Sequence, residues 1–213
     1  MQQSVRVSSA RASCAPASSL APASDQVRVV ALELFVTQGF NGVSVRRLAS
    51  AIGVQAGSLY NHFDSKQGLL YELIEDYEEA LLYVLRKQQC HGHDPRQAVR
   101  SYIDAYIRFL LANHLGAALT RFEFRSLSSA QQRHIQGVRR RYHDLLGEMI
   151  REGMRRRLFA IGNVVAVVHA LIAMLEGAPD CPPAEGASSI EWLIEHFQAL
   201  VLKSLVADSA ALT

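Results

Sequence analysis

Apolar residues recur every three to four positions through almost the whole chain after residue 24. This spacing is typical of amphipathic helices. It predicts a first helix up to Gly39, a second from Ser44 to about Ala51 and a third from about Gln55 to Asn61. Six longer apolar faces follow, and no period-two alternation predicts a strand. The pattern therefore predicts an all-α fold of about nine helices.

Four segments are predicted along the chain. Residues 1–24 are rich in Ser and Ala and have no apolar period. Such a segment buries too little apolar surface to order itself, so a disordered arm is expected. Residues 25–70 hold the three short or medium helices, 71–207 hold a larger helical body, and 208–213 form a tail.

The second and third helices are too short to be stable alone, since isolated helices below about 12 residues are marginal in water. Leu48, Ile52, Val54, Leu59 and Phe63 are spaced to pack these two helices, crossed, on the first. This is a helix-turn-helix arrangement with a glycine in the turn. In such motifs the second helix lies in the DNA major groove.

The stretch "ALELFVTQGFNGVSVRRLASAIGVQAGSLYNHFDSKQGLL", Ala31 to Leu70, resembles the TetR family of bacterial transcriptional regulators. The resemblance implies a three-helix DNA-binding domain followed by a helical domain for effector binding and dimerisation. It further implies a ligand-responsive regulator, interpreted here as a repressor. Such a protein binds a palindromic operator as a homodimer and is released by a small effector.

The resemblance and the exposed start of the third helix together predict a set of DNA-contacting residues. Gln55 is placed to read an adenine, and Tyr60, His62 and Lys66 match the family's phosphate-contacting positions. Many relatives carry a basic residue where this chain has Ala56, so one charge contact is lost. Packing by Tyr60 and a solvated arginine face are the alternative interpretation. The full set is Ser44, Arg46, Arg47, Gln55, Ala56, Gly57, Ser58, Tyr60, His62 and Lys66.

A ligand pocket in the body is predicted from its aromatic and polar residues, with ordinary core packing as the alternative. The stretch from Arg121 to Phe159 resembles effector domains that respond to acyl-CoA thioesters or other lipid-like acids. It suggests a long apolar ligand whose acidic end meets Arg121 or Arg125, unless both are surface charges. The candidate lining is Tyr102, Tyr106, Phe109, His114, Phe122, Arg125, His169 and Met174.

The dimer interface is predicted on the last two helices, about 163–177 and 188–206. The first is apolar on all faces and is expected to be covered on every side. A four-helix bundle from two chains would cover both helices. The candidate interface is Val164, Val168, Leu171, Leu193, Phe197 and Leu200.

The charge and composition of the chain limit where it could contact DNA and in which compartment it would work. The net charge is only +2, so contact with DNA must come from a local patch. Three scattered cysteines favour a reducing compartment, and a cytoplasmic protein with no membrane span and no cofactor is expected. The loop Cys90–Asp94 carries soft and hard metal ligands, and whether it binds a metal stays open.

Two other classes of function are alternatives to the ligand-responsive regulator. One is a helix-turn-helix protein whose body serves only protein partners. The other, more remote, is a helical enzyme, although no phosphate-binding glycine loop, nucleophile elbow or metal-binding helix motif occurs in the chain. The sequence leaves open the effector, the operator, the regulated genes and the choice between repressor and activator.

Overall fold

The structure is a computed structural model that describes residues 23–88, 94–181 and 189–206. All regular structure in these residues is helical, which confirms the predicted all-α class. Two short 3₁₀ turns, Phe124–Ser126 and Ala178–Asp180, supplement nine α-helices. The helices are α1 (Ala23–Gln38), α2 (Val45–Ile52), α3 (Ala56–Leu59), α4 (Lys66–Arg86), α5 (Pro95–Ala112), α6 (His114–Glu123), α7 (Ser129–Arg155), α8 (Val164–Glu176) and α9 (Ile190–Leu205).

Local sequence signals set the ends of the first helices. Gly39 and Gly53 adopt φ values of 74° and 80°, the left-handed conformation that glycine tolerates best. Ser44 Oγ accepts a hydrogen bond from the Arg47 amide at 3.1 Å and so caps α2. Ser65 caps α4 in the same way through the Gly68 amide. These contacts satisfy amide groups that helix starts leave unpaired.

Two apolar cores lie along the molecule. The first unites α1–α3 with the start of α4, and it also takes Leu119 from α6 and Ile135 from α7. The second joins the rest of α4 to α5, α7, α8 and α9. Because both cores share α4, this helix connects the helix-turn-helix to the body. The predicted domain limits stay predictions, and the predicted arm and tail lie mostly outside the described residues.

Three residues predicted to face a partner lie instead in the core of their own chain. Val168, Leu171 and Phe197 are at most 6% exposed and belong to the second core. The reason is that α8 packs against α7 and α5, whereas α9 packs against α5. Periodicity alone does not tell which of two apolar faces a helix turns inward.

One side of α8 is exposed in the single chain, so cover on every side would need a partner chain and stays a prediction. Val165 is 60% exposed, and small residues on the same side of α8 are exposed as well. On α9, Leu200 is 43% exposed and Leu193 is half-buried. We call the following residues the outer face of α8 and α9: Val165, Ala166, Ala170, Ala173, Trp192, Leu193, Ala199 and Leu200.

Candidate DNA-binding surface and ligand cavity

The first core holds α2 and α3 as a crossed pair. Leu48 of α2 and Leu59 of α3 are fully buried, and they share this core with Phe35 of α1. The left-handed Gly53 ends α2 and its amide bonds the Ala49 carbonyl, so the chain turns within three residues. The pair is therefore fixed by α1, as the spacing of Leu48, Leu59 and Phe63 predicts. Val54, which was predicted to pack with them, is 41% exposed.

The side of the pair that faces away from α1 is polar and exposed. Gln55 precedes the first turn of α3, and its side chain makes no capping hydrogen bond. Tyr60 is 56% exposed, with its ring tilted against Phe63. Of the ten predicted DNA-contacting residues only Ala56 and Lys66 are half-buried. The other eight are exposed: Ser44, Arg46, Arg47, Gln55, Gly57, Ser58, Tyr60 and His62.

Gly57 lies in the middle of this exposed turn of α3. A Cβ atom at Gly57 would meet nothing within 4 Å, so internal packing does not require a glycine there. Its missing side chain instead lets an external surface approach the α3 backbone closely. This geometry is what a helix needs to sit against a DNA backbone.

Lys66, which is predicted to contact a phosphate, already bonds backbone groups of its own chain. Its ammonium donates to the carbonyls of Phe40 and Val43, both at 2.8 Å, and lies 4.1 Å from the centre of the Phe40 ring. Burial lowers the pKa of Lys66, and attraction to Glu123 opposes that effect. In this structure Lys66 fastens the loop between α1 and α2 to the start of α4.

A cavity of about 480 Å³ lies in the body between α4, α5, α6, α7 and α8. Its volume falls in the range of small-molecule sites. Four of the eight residues predicted to line a pocket are here: Tyr106, His114, Phe122 and Arg125. Arg121, the other predicted anchor, also lines it. Arg121, Phe122 and Arg125 are exposed and form the mouth of the cavity.

The other four predicted pocket residues lie elsewhere. The Tyr102 hydroxyl donates to the Tyr142 carbonyl at 3.0 Å, and the side chain is packed in the core. Phe109 packs against Tyr77 and borders a separate groove. His169 lies beside His143 in a third groove, and Met174 packs against the second core. The aromatic residues of the sequence alone did not show which side chains would line the cavity and which would pack in the core.

A buried ion pair closes one side of the cavity. Glu78 of α4 is 1% exposed, and its carboxylate accepts from Arg139 Nε at 2.7 Å and from the Tyr142 hydroxyl at 3.2 Å. Burial raises the pKa of Glu78, whereas Arg139 and the two hydrogen bonds lower it. Burial likewise raises the pKa of Tyr142 well above its ordinary value. The pair holds α4 to α7 behind the cavity.

The cavity is also lined by residues that the sequence pattern did not single out: Tyr77, Glu78, Thr120, Arg139 and Glu176. Of these five residues, Glu78 could have been recognised from the sequence. Glu78 interrupts the apolar face of α4 and lies four residues after Ile74. A carboxylate on a buried face is expected to have a partner. The others became visible only once five helices were brought together.

Helix α6 connects the cavity to the helix-turn-helix. It supplies His114, Thr120 and Phe122 to the cavity wall. At its end, the Glu123 carboxylate accepts from the Phe40 amide at 2.9 Å and from the Ser126 hydroxyl at 2.7 Å. Phe40 lies in the loop that Lys66 also holds. A shift of α6 would therefore move the loop that leads into α2.

No group of three or more metal-binding side chains occurs among the described residues, and none of the described helices is long and apolar enough to cross a membrane. Most of the candidate metal loop, residues 90–93, lies outside the described ranges. Asp94 is described, and its carboxylate caps α5 through the Arg96 amide at 3.0 Å.

Family models match two parts of the chain. "Bacterial regulatory proteins, tetR family" matches residues 28–73. "Tetracyclin repressor-like, C-terminal domain" matches residues 92–205, which is more than half of the chain.

Curated relatives match over shorter stretches. The transcriptional repressor KstR2 of Rhodococcus jostii is 30% identical over 98 residues, 46% of this chain and 48% of that protein. The transcriptional activator FasR of Mycolicibacterium smegmatis is 28% identical over 85 residues, 40% of this chain and 39% of FasR. The chain thus spans less than half the length of these relatives.

Solved structures match over most of the chain. A tetR-family regulator from Rhodococcus RHA1 has a TM-score of 0.81 at 20% identity, covering 87% of this chain and 98% of its own. PfmR from Thermus thermophilus has a TM-score of 0.75 at 26% identity, with 84% and 98% covered. AibR, solved with isovaleryl coenzyme A and operator DNA, has a TM-score of 0.73 at 17% identity, with 83% and 96% covered.

Proposed function

The chain belongs to the TetR family of bacterial regulatory proteins, and we propose that it is a repressor whose homodimer leaves its palindromic operator when a small effector binds. One observation carries the proposal most directly. Helix α6 lines a cavity of ligand size and, at its end, holds the loop that leads into the helix-turn-helix. A repressor released by an effector needs such a connection between two sites.

On DNA, the exposed turn at the start of α3 would enter the major groove. Gln55 would read an adenine through its amide, and Gly57 would let the α3 backbone come close. Tyr60 and His62 would contact phosphates, which sets the register but carries no base information. The Ser44 hydroxyl accepts from the Arg47 amide, so its proton remains for a phosphate. Because the Lys66 ammonium bonds two carbonyls, we assign it to loop support ahead of phosphate binding.

The experiment that tests this role is selection of binding sites from random double-stranded DNA. The expected result is a palindrome whose half-sites lie about one helical turn, ~34–36 Å, apart. Selection of no preferred sequence at moderate salt would contradict the proposed repressor. No ligand is needed for this test.

Gln55→Ala is expected to relax the preference at one base pair in each half-site, because the base loses its amide partner. The discrimination lost should be about 1–3 kcal/mol at that position and small elsewhere. Tyr60→Phe serves as the comparison, since a lost phosphate contact weakens binding to all sequences alike. An unchanged base preference in the sites selected by the Gln55 variant would show that Gln55 does not read a base.

The effector proposed is small and mainly apolar, with an acyl-CoA-like acid as the leading class. The aromatic walls of the cavity and the two arginines at its mouth support this choice. Arg125 makes no ion pair with a described residue, so its guanidinium is available to an acidic group. The isovaleryl coenzyme A of AibR is a property of that protein, and at 17% identity it lends this chain only the fold.

The proposed release works by a shift between two arrangements of α6. A ligand that binds better to one arrangement raises its population. Because Glu123 joins the end of α6 to Phe40, that shift would move the start of α2 and change the spacing of the two recognition turns. The long helix α4, which belongs to both cores, would carry the same movement.

Glu123→Ala is expected to loosen the loop between α1 and α2, because the Phe40 amide loses its acceptor. Hydrogen exchange of that amide should quicken by about tenfold, since a charged acceptor contributes roughly 1.5–3 kcal/mol. The control is Glu33→Ala, a carboxylate on α1 with no ion pair to a described residue. Equal exchange of Phe40 in wild type and the Glu123 variant would show that the contact does not hold the loop.

The homodimer is proposed to form through the outer face of α8 and α9. Exposed alanines on α8 allow a close approach of helices, and Leu193 and Leu200 add apolar area on α9. Val164, which is half-buried, is the one residue of the predicted α8 interface that stays out of the buried core. A protein that acts on DNA in this way would work in the cytoplasm.

A second candidate function is a DNA-binding protein whose body serves only protein partners. The outer face of α8 and α9 would suit it as well as it suits a second copy. The two functions separate in one measurement: an effector that changes DNA affinity favours the first, and DNA binding that no cavity ligand changes favours the second. The protein is proposed to have no enzymatic activity, as its family consists of regulators.

A further inference from the structure

Arg139 of α7 carries hydrogen-bond donors that its one carboxylate partner does not use. Its Nε atom donates to a Glu78 oxygen at 2.7 Å, and Glu78 is its only hydrogen-bond partner among the described residues. A guanidinium has five N–H donors in a fixed plane, and a single carboxylate takes two of them at most. At least three donors of Arg139 therefore remain for another group.

The guanidinium of Arg139 lies on the wall of the cavity. Its central carbon is 4.6 Å from the centre of the Phe124 ring, and Glu78, Phe124 and Arg139 all line the cavity. Arg139 also borders the groove between α7 and α8, but the two residues that hold its guanidinium do not border that groove. Only 26% of the Arg139 side chain is exposed. A half-buried guanidinium with unused donors is a favourable place for an acid group.

Two carboxylates near this guanidinium do not exclude an added negative charge. Glu78 is 1% exposed, and its second oxygen accepts from the Tyr142 hydroxyl at 3.2 Å, so its charge is already met by two partners. Glu176, at the end of α8, is an exposed residue, so water and salt screen its charge. Because the donors of a guanidinium point in several directions within its plane, one arginine can bridge two carboxylates.

The arginines at the mouth of the cavity suit attraction of an acid better than its retention. Arg121 is already paired with Asp180 at 2.6 Å. Arg125 is exposed, and ion pairs between exposed groups contribute little energy. Positive charge at an opening still raises the local concentration of anions and speeds their entry. An acid is therefore guided by Arg125, and Arg139 is the better placed of the arginines to hold it.

We propose that Arg139 binds the carboxylate of the effector and that the effector is a small, apolar, free carboxylic acid rather than a thioester, an inference that rests on the regulator proposed above. Two N–H groups of Arg139 donate to the two carboxylate oxygens. The apolar chain of the acid lies against Tyr106, Leu110 and Phe124. A thioester has no charge at its carbonyl end and leaves the spare donors of Arg139 without an ionic partner.

The test compares octanoic acid with octanamide, which has the same chain and nearly the same shape but no charge. Isothermal titration calorimetry of the full chain at neutral pH should give at least about tenfold tighter binding for the acid, because charge-assisted hydrogen bonds are roughly twice as strong as neutral ones. Octanoyl-CoA is the third ligand and should bind no more tightly than the acid. Tighter binding of octanoyl-CoA would overturn the choice of a free acid. Equal binding of acid and amide, or binding of neither, would overturn the proposal as a whole.

A double substitution separates a ligand role of Arg139 from a merely structural one. Glu78→Leu combined with Arg139→Met removes both charges, so it leaves no unpaired carboxylate in the core. Replacing a buried ion pair by apolar residues is often neutral for stability, so this protein should fold and lose its preference for the acid. If the pair only joins α4 to α7, the ratio of the two affinities stays unchanged, and the proposal fails. Arg141→Met, in an exposed ion pair between the same helices, is the control and should keep the ratio.

Glu78→Gln provides a second test in which the expected change has the opposite sign. Glutamine keeps an acceptor for the Tyr142 hydroxyl but removes the negative charge beside Arg139. The preference for the acid should therefore rise by at least about threefold. A preference that falls in Glu78→Gln contradicts binding at Arg139. Loss of the preference in Arg125→Ala, with the double variant unaffected, would place the acid at the mouth instead.

Failure of this inference can be told from failure of the proposed function. A protein that selects a palindromic operator but does not distinguish octanoic acid from octanamide keeps its role and loses this effector class. A protein that prefers the acid through Arg139 but selects no DNA sequence keeps the site and loses the role.

Discussion

Leu200→Asp is expected to convert the proposed homodimer into a folded monomer that no longer holds the full operator. Leu200 is 43% exposed in the single chain, so the chain itself tolerates a charge there. In a dimer the same carboxylate would be buried without a partner, which costs several kcal/mol per ion, and twofold symmetry counts it twice. Each 1.4 kcal/mol is about a tenfold change, so dimer affinity should fall by several orders of magnitude.

Two measurements check this result. Light scattering coupled to size exclusion gives the mass, and circular dichroism gives the helix content. The control is Tyr83→Asp, which places the same charge on an exposed apolar residue of α4. Operator binding should survive Tyr83→Asp and fail in Leu200→Asp. A Leu200→Asp protein that stays dimeric would move the interface away from this part of α9.

Leu200 is a better probe of the interface than Phe197 for a structural reason. Phe197 is buried in its own chain, so a charge there would unfold the protomer before it reported on a partner. Gln198 is a poor control, because its side chain exchanges hydrogen bonds with Arg100. Phe197 is buried and Gln198 reaches Arg100 because this side of α9 packs against α5.

Arg139→Met is expected to lower the free energy of unfolding by about 3–5 kcal/mol at neutral pH. The substitution leaves Glu78, which is 1% exposed, as a buried carboxylate with only the Tyr142 hydroxyl as a partner. Methionine keeps most of the apolar stem of arginine, so the loss reports mainly on the charge. Chemical denaturation with urea measures the change.

A second ion pair between α4 and α7 offers a matched control. Arg141 lies two residues further along α7 and pairs with Glu79, which follows Glu78 on α4, but both side chains are more than 40% exposed. Exposed ion pairs contribute about 0–1 kcal/mol, so Arg141→Met should have little effect. Equal losses for the two variants would show that burial of the Glu78 pair is not what matters.

The Arg139→Met variant should also be less stable at higher pH. Burial already raises the pKa of Glu78 above the ordinary 4.5, and loss of Arg139 removes the main effect that lowers it. A carboxyl with a raised pKa holds its proton longer in the folded state than in the unfolded state. Between those two pKa values stability therefore falls as pH rises.

Acidification should accordingly rescue part of the lost stability. In the variant the free energy of unfolding should fall from about pH 5 upward more steeply than in the wild-type protein. Urea denaturation at several pH values tests this. A loss of stability in Arg139→Met that is the same at about pH 5 and about pH 8 would mean that the loss comes from packing rather than from the buried charge.

The sequence by itself determined the helices and the helix-turn-helix. Gly39, Gly53, Ser44 and Ser65 act within a few residues of the chain, so their effect on helix ends is local. The spacing of Leu48 and Leu59 fixes which sides of α2 and α3 meet α1. The exposed position of Gln55 follows from that same short-range geometry.

Only the tertiary structure decided the cavity and the faces of the last helices. Tyr102 and Tyr106 lie four residues apart on α5 and both belong to the core, yet only Tyr106 also lines the cavity, because five helices fix its boundary. Apolar periodicity in α8 did not reveal which face α7 and α5 would cover. Lys66 likewise bonds Phe40 and Val43, which lie 26 and 23 residues away. Contacts between residues distant in sequence depend on how helices pack, and the local pattern of residues does not contain that information.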